Sequence, residues 1–359
     1  MTVRVLLVGY GLAGRMFHSR LIDAEPTLQI TGIVTADAER REQAASDFPG
    51  VHVFDRAEDA WDSAQDCDLA VVATANSAHV PQASAALEAG LHVVVDKPLA
   101  GSAAEAQALI DLADRQGRQL HVFQNRRWDS EILTARHVID EGLIGTPHRL
   151  ESRFERWRPT PKGGWREDGP AADLPGLLYD LGAHLIDQAL HLLGPVDRVV
   201  ASVRAVRGGA TADDDTQVLL WHTRGAVSFL TVSSASAFGE PRLRLLGTDG
   251  GLRIETLDTQ EDALRAGRSP RDDDWGMEAD DALLISGTDA ARSIARVRGQ
   301  WPTYYREVSQ ALRDGSPPPV DPHDVVANLR VIEAARDSAL TNTVVTLDPP
   351  AGHVDMHST

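Results

Sequence analysis

Four titratable residues, Asp180, His184, Asp187 and His191, recur at spacings of four, three and four within Gly176–Gly194. Residues four apart lie one above the other on a helix face, so Asp180 can orient His184 for proton transfer. Leu181, Leu185, Ile186, Leu190, Leu192 and Leu193 supply packing faces, and Gly194-Pro195 stops the helix. By itself such a row also suits an ordinary capped helix with a few solvated polar groups. A lysine, Lys97, stands in Asp96-Lys97-Pro98. A third cluster, Gly9-Tyr10-Gly11-Leu12-Ala13-Gly14, is built for binding. Gly9 permits a tight turn, Gly11 lets backbone approach a pyrophosphate, and Gly14 lets helix pack close to strand. Leu12 and Ala13 lie between the last two glycines, where a helix N-terminus offers unpaired N–H groups to phosphates.

The glycine loop has the context this binding requires. A continuous aliphatic run, Val3–Val8, precedes it as a strand covered on both faces, and a helical stretch from Arg15 to Ala24 follows. The second strand is Leu28–Val34. A site preferring NAD places a carboxylate on the ribose about 20 residues past the last glycine. That position falls near Thr35, which is neutral, with Arg40 and Arg41 close behind. This favours the 2′-phosphate of NADP. NAD stays open, because Asp37 comes two residues after Thr35 and the arginines also suit the exposed face of the next helix.

These groups need strands and helices to hold them. Cys67–Ala73, Leu91–Val95 and Leu120–Gln124 alternate with helices at Ser77–Ala89 and from the capping box Ser102-x-x-Glu105 to Gly117. Lys97 then lies at a strand's C-terminal end, where open α/β sheets place ligands. Such alternation predicts a doubly wound parallel sheet, a Rossmann domain, over residues 1–122. After a helix at Glu131–Glu141 the pattern turns to strands. These are His148–Trp157, Val196–Val206, Gln217–His222, Ala226–Ser233, Arg242–Leu246 and Leu252–Glu255. Residues 123–348 therefore read as an α+β domain with an open, mainly antiparallel sheet, ending in helices at Thr303–Arg313 and His323–Ala339. Residues 257–290 read as acidic and irregular, and 349–359 as a tail.

A net charge of −18 without a concentrated basic face argues against nucleic acid or an anionic membrane as partner. No apolar run approaches the roughly 20 residues needed to span a bilayer. The N-terminal apolar run is too short for a signal peptide, and a single cysteine, Cys67, excludes an internal disulfide; together they point to the cytoplasm. A metal site is not expected, because no zinc-ligand spacing appears among the 13 histidines. A sheet with one face free of helices leaves apolar area to cover, which predicts a homodimer or homotetramer built through that face.

Gly9-x-Gly11-x-x-Gly14, Asp96-Lys97-Pro98 and Asp180-x-Gly182-x-His184 together resemble the Gfo/Idh/MocA family: glucose–fructose oxidoreductase, inositol dehydrogenase and rhizopine-catabolism proteins. The family's usual central motif is Glu-Lys-Pro, and Asp96 keeps its charge one carbon shorter. Asn125 to Asp129, Trp157-Arg158-Pro159, Trp165-Arg166-Glu167, Leu178 to Gly182, Gln260 to Gly267 and Thr303-Tyr304-Tyr305 resemble the subgroup containing NADP-dependent scyllo-inositol dehydrogenases. The resemblance implies interconversion of a ring hydroxyl and a ketone on a cyclic polyol, with Lys97, Asp180 and His184 as catalytic positions and Lys97 also beside the cofactor. It implies a cis Lys97–Pro98 bond. It also points to Asn125, Arg127, Trp128, Arg158, Trp165 and Tyr179 as candidates for a hydroxyl-rich substrate. The alternatives are another sugar or keto-sugar of the same family, and a non-catalytic cofactor-binding regulator.

Overall fold

The computed structural model describes residues 2–348, apart from the side chains of Trp165 and Arg166. The chain divides into two compact units. The first comprises the chain up to Leu133 together with Asp258–Ala279 and Val297–Val326; the second comprises Thr134–Leu257, Asp280–Arg296 and the chain from Ala327.

The first unit holds a six-stranded sheet: β1 (Val3–Val8), β2 (Leu28–Val34), β3 (His52–Phe54), β4 (Leu69–Val72), β5 (His92–Asp96) and β6 (Leu120–Phe123). Their order is β3-β2-β1-β4-β5-β6, and every neighbouring pair is parallel. This is the expected doubly wound sheet. Its order reverses beside β1, the switch point where such sheets take ligands at their C-terminal ends. Val5, Leu7, Leu69 to Val72 and Val93 to Val95 are buried, as strands packed on both faces require. The capping box forms with a shift of one residue: Ser102 Oγ accepts the Glu105 N–H at 3.2 Å, and Glu105 reaches past the cap to the Gly101 N–H at 3.1 Å. Gly117, at φ 61°, ends that helix.

Several local expectations change. The stretch after the glycine loop is a π-wound segment, Ala13–His18, followed by a short α-helix, Ser19–Ala24. The helix expected from Ser77 opens as a 3₁₀ turn at Asn76–Ala78 and runs as α-helix over His79–Glu88. Cys67 lies just before β4 rather than in it, half-buried, with Sγ 3.5 Å from Thr31 Oγ1. Residues 257–290 are not irregular throughout. They contain a helix, Gln260–Arg265, and a buried Trp275 whose Nε1 donates to Gln260 Oε1 at 2.9 Å. They also contain a strand of the second sheet.

That sheet has nine strands: β7 (Pro147–Glu155), β8 (Val196–Arg204), β9 (Asp215–His222), β10 (Val227–Ser233), β11 (Leu243–Gly247), β12 (Gly250–Ile254), β13 (Ala282–Ser286), β14 (Arg292–Ile294) and β15 (Val345–Thr346). The order is β14-β13-β12-β11-β7-β10-β9-β8-β15, with only the β7–β10 pair parallel. It is the mainly antiparallel sheet expected. The single continuous helix expected over Gly176–Gly194 is instead a π-wound turn, Leu178–Gly182, leading into an α-helix, Ala183–Leu193. That helix is fixed to the sheet by a buried arginine. Arg242 donates to Gln188 Oε1 at 3.0 Å and to Ser152 Oγ, and its guanidinium lies 4.3 Å from the Phe154 ring centre.

Candidate active site

In the first unit the chemistry-bearing residues gather at the C-terminal ends of the parallel strands. Gly9, at φ +103°, ends β1; a Cβ there would lie 2.4 Å from the Ala73 carbonyl oxygen. A Cβ on Gly14 would lie 2.0 Å from the Gly9 carbonyl oxygen. Neither position can hold another residue without moving backbone. Gly11 is different: the one atom near its would-be Cβ is Arg40 Nη1, at 3.6 Å. Two glycines thus shape the loop and the third leaves an open face with a guanidinium beside it. Leu12 is exposed and Ala13 half-buried at the start of the π-wound turn. This cradle fits a dinucleotide pyrophosphate.

The carboxylate that clouded the cofactor reading has another job. Asp37 caps the next helix, Ala38–Asp47, with Oδ1 accepting the Arg40 N–H at 3.0 Å. Thr35 is buried at the end of β2. Arg41 donates to the carbonyl of Ala36 at 2.7 Å, so two arginines flank the place where the ribose is expected.

Lys97 follows β5 directly and is half-buried, and the Lys97–Pro98 bond is cis. It is one of two lysines, with Lys162, among 35 basic residues. A chain that otherwise uses arginine, which does not give up its proton, keeps at this strand end a group that can. Asp96 accepts the Lys97 backbone N–H at 2.8 Å, and its other oxygen lies 3.6 Å from His18 Nε2. Burial works against the Asp96 charge. His18, His79 and Lys97 outweigh it and hold the carboxyl below its ordinary range.

The register pairs Asp96 with Phe123, so the turn after β6 lies at the strand end next to Lys97. That turn, Asn125–Trp128, carries three substrate candidates. Asn125 and Arg127 are buried, and Arg127 pairs with Asp324 at 3.1 Å. Trp128 stands edge-on to Tyr304, ring centres 5.7 Å apart. Gln260 Nε2 and the Gln300 N–H both donate to the Trp128 carbonyl, at 3.2 and 2.8 Å. Arg126 bridges Asp129 and Glu261, and Trp301 Nε1 donates to Asp129 at 2.7 Å. The segments Asn125 to Asp129, Gln260 to Gly267 and Thr303 to Tyr305, far apart in sequence, thus form one clamp.

In the second unit Asp180 lies on the π-wound turn, half-buried, and lines a cavity of about 250 Å³ with Arg156, Arg158, Lys162 and Arg207. His184 and Asp187 are buried on the following helix, and the His191 carbonyl accepts from Arg136. The turn is held from outside itself. Asp213 Oδ2 accepts the Leu178 N–H at 2.8 Å and the Thr216 hydroxyl at 2.9 Å. Gly176, at φ +108°, makes room for it, since a Cβ there would lie 1.8 Å from Asp213 Oδ1. Burial pushes the Asp213 carboxyl up, against those hydrogen bonds. The buried Arg207 fastens the cavity wall: Nε to Asp214 at 2.8 Å, Nη2 to Glu167 at 2.9 Å, and Nη1 to the Arg158 carbonyl at 3.1 Å. Tyr179 turns to another partner; its hydroxyl accepts from Arg336 at 3.1 Å. Trp165 belongs to the side chains left undescribed, and the tail 349–359 lies outside the described residues.

Sequence reasoning did not single out Asp213, Arg207 or His18. Asp213 sits in a run of three aspartates, where nothing local marks which one caps a helix. Among the described residues no group of three or more His, Cys, Asp or Glu side chains is placed to hold a metal, and no helix is long and apolar enough to cross a membrane.

Residues 3–124 match a family model described as "Oxidoreductase family, NAD-binding Rossmann fold", and 136–347 match its companion, "C-terminal alpha/beta domain". The chain is similar to a scyllo-inositol 2-dehydrogenase (NADP(+)) of Bacillus subtilis, 35% identical over 97% of this chain and 96% of that protein. It is similar, at 26% identity over 95% of this chain and 88% of that one, to a D-apiose dehydrogenase of Paraburkholderia graminis. A solved NAD-binding protein from Listeria innocua superposes with a TM-score of 0.81 at 27% identity, covering 96% of this chain and 97% of that one.

Proposed function

The chain belongs to the Gfo/Idh/MocA oxidoreductase family and is a nicotinamide-dependent dehydrogenase; from that premise we propose that it interconverts scyllo-inositol, or a closely related cyclic polyol, and its ketone with NADP(H). The observation that carries the cofactor choice is Arg40 Nη1 beside the open face of Gly11, with Asp37 occupied as a helix cap and Thr35 neutral. A guanidinium there suits a 2′-phosphate, and a free carboxylate there would oppose one. The substrate choice rests on the similarity to the Bacillus subtilis enzyme.

Gly9, Gly11 and Gly14 shape the pyrophosphate cradle, and Arg40 takes the 2′-phosphate. A nicotinamide cofactor held by this cradle would supply hydride exchange with the carbinol carbon. The hydroxyl proton must leave in the same step. Either Lys97 or His184 takes it, and Asp180 orients the imidazole or a substrate hydroxyl. Asn125, Arg127, Trp128 and Arg158 bind the remaining hydroxyls. A second reading, another sugar of the family, is supported by the D-apiose dehydrogenase relative.

The outward face of the nine-stranded sheet exposes Phe229 (43%), Leu283 (41%) and Ile285 (44%), which supports an assembly of two or four copies through it. A mass measurement showing a monomer at micromolar concentration would sink that. The test of function is steady-state kinetics with NADPH and NADH across inososes and keto-sugars. The expected result is NADPH-dependent reduction of scyllo-inosose. Tight NADPH binding with no turnover on any member of the panel would defeat the substrate assignment.

A further inference from the structure

A row of three side chains, His18 and Tyr305 buried and Asp96 half-buried, lies beside Lys97, and neither the cofactor cradle nor the substrate set uses it. His18 closes the π-wound turn of the glycine loop and is fully buried. Its Nδ1 is 2.6 Å from the Tyr305 hydroxyl, and its Nε2 faces Asp96 Oδ2 at 3.6 Å. Asp96 Oδ1 in turn holds the backbone N–H of Lys97. With the Tyr305 O–H donating to Nδ1, the neutral ring carries its hydrogen on Nε2, aimed at the Asp96 carboxylate but at 3.6 Å too far for a hydrogen bond, so the two meet as dipole and charge. The row joins three elements: the glycine-loop turn, the end of β5, and the helix Pro302–Asp314 that carries Tyr305. A core that only needed filling would take apolar side chains here, because each buried polar group costs free energy unless it is paired.

We propose that His18 and Tyr305 are positioning residues for Lys97: they keep the Asp96 carboxylate charged and fixed, and the carboxylate sets the placement and proton affinity of the lysine amine. The titratable groups facing Asp96 are His18, His79, Lys97, Tyr304 and Tyr305. His79 Nδ1 lies 2.7 Å from the Pro98 carbonyl and Nε2 3.3 Å from that of Thr74; burial favours the neutral ring, whose single N–H serves one of the two. Burial pushes both phenols well above the ordinary range, so Tyr305 stays a neutral donor throughout the working pH. A fixed anion next to an ammonium favours the protonated amine. Weakening the support for the Asp96 charge should therefore free the amine at lower pH.

This inference rests on the reading of Lys97 as a proton carrier. Its test uses the full-length enzyme and two readouts. The first is the pH profile of kcat for scyllo-inositol with NADP⁺. The second is the pH dependence of acetylation of Lys97 by acetic anhydride, with Lys162, the other lysine, as internal reference. Tyr305→Phe removes a single hydroxyl, His18→Leu removes the donor, Asp96→Asn removes the charge, and His18→Gln keeps an N–H for Asp96. The first three should move the acidic limb and the Lys97 labelling midpoint down by about half a pH unit or more, and lower kcat about tenfold. Glutamine at position 18 should restore most of both, and the NADPH Kd should stay within about twofold in all four. Labelling midpoints that match wild type in Tyr305→Phe and Asp96→Asn, with melting temperatures retained, would overturn the inference. Lys97→Met run alongside separates the two ideas. If it keeps turnover, the proton-carrier reading falls, while the labelling midpoints still report whether the row controls the amine.

Discussion

The two π-wound turns, Ala13–His18 and Leu178–Gly182, share a winding and differ in what imposes it. The first is shaped from within, by Gly14 pressed against the Gly9 carbonyl, a contact five residues apart. The second is held from outside, by Asp213 gripping the Leu178 N–H from 35 residues away. A binding loop that must present backbone to a ligand is made of residues that remove side chains. The turn that we propose presents a carboxylate, Asp180, keeps its side chains and borrows its restraint from elsewhere. Widened turns of this kind cost helix regularity and are frequent at functional sites.

Substitutions can break this comparison or sharpen it. Lys97→Ala and His184→Ala, one in each unit, should each lower turnover on the order of a hundredfold with NADPH binding kept. If one of them falls much further than the other in stopped-flow turnover, that unit supplies the proton carrier. Gly14→Ala forces a Cβ to within 2.0 Å of backbone and should cost about 3 kcal/mol, seen as a loss of NADPH affinity on the order of a hundredfold by fluorescence titration. Gly176→Ala meets a carboxylate at 1.8 Å and a positive φ, so it should reduce kcat about tenfold and leave the NADPH Kd unchanged. Equal losses of cofactor affinity in the two glycine variants would show that the turns do not divide binding from chemistry. Arg40→Ala should weaken NADPH about tenfold and NADH hardly at all in calorimetric titration.

The smallest effect concerns stability. Burial, and then the charge of Glu131, push Asp258 up to about 7, against an unfolded value of about 3.9. Between those values the folded chain holds a proton that the unfolded chain has released, so stability falls as pH rises through the window and levels off above it. Asp129, also raised by burial, acts in the same direction. Thermal melts should therefore show wild type losing a few degrees more than Asp258→Asn between pH 5 and pH 7. An identical pH slope in the two proteins would refute the assignment.

What could be read from sequence was contiguous or periodic. The glycine loop, the alternation of strands and helices, the lysine at a strand end and the change to a second sheet all follow from neighbours within a few residues. The three-residue β3 is too short to show a period, and β13 hides in an acidic stretch. Five residues cannot distinguish a π-wound turn from an α-helix by apolar spacing, so in the sequence the row from Asp180 to His191 reads as one regular face. The contact of His18 with Tyr305 spans 287 residues, and the clamp on Trp128 depends on Gln260 and Gln300. Contacts of that range leave no local pattern. The same holds for Asp213.

The first unit is not one stretch of chain: it takes up Asp258–Ala279 and Val297–Val326 after the second unit has begun. During synthesis from the N-terminus, the six strands therefore emerge long before Gln260, Trp275, Trp301 and Tyr305 exist to hold the Asn125–Trp128 turn and His18. The nascent parallel sheet has to wait, with its last wall missing, until the ribosome has made most of the protein. A chaperone or prolonged exposure would act on that incomplete sheet, and a fragment ending at Leu133 would reproduce it.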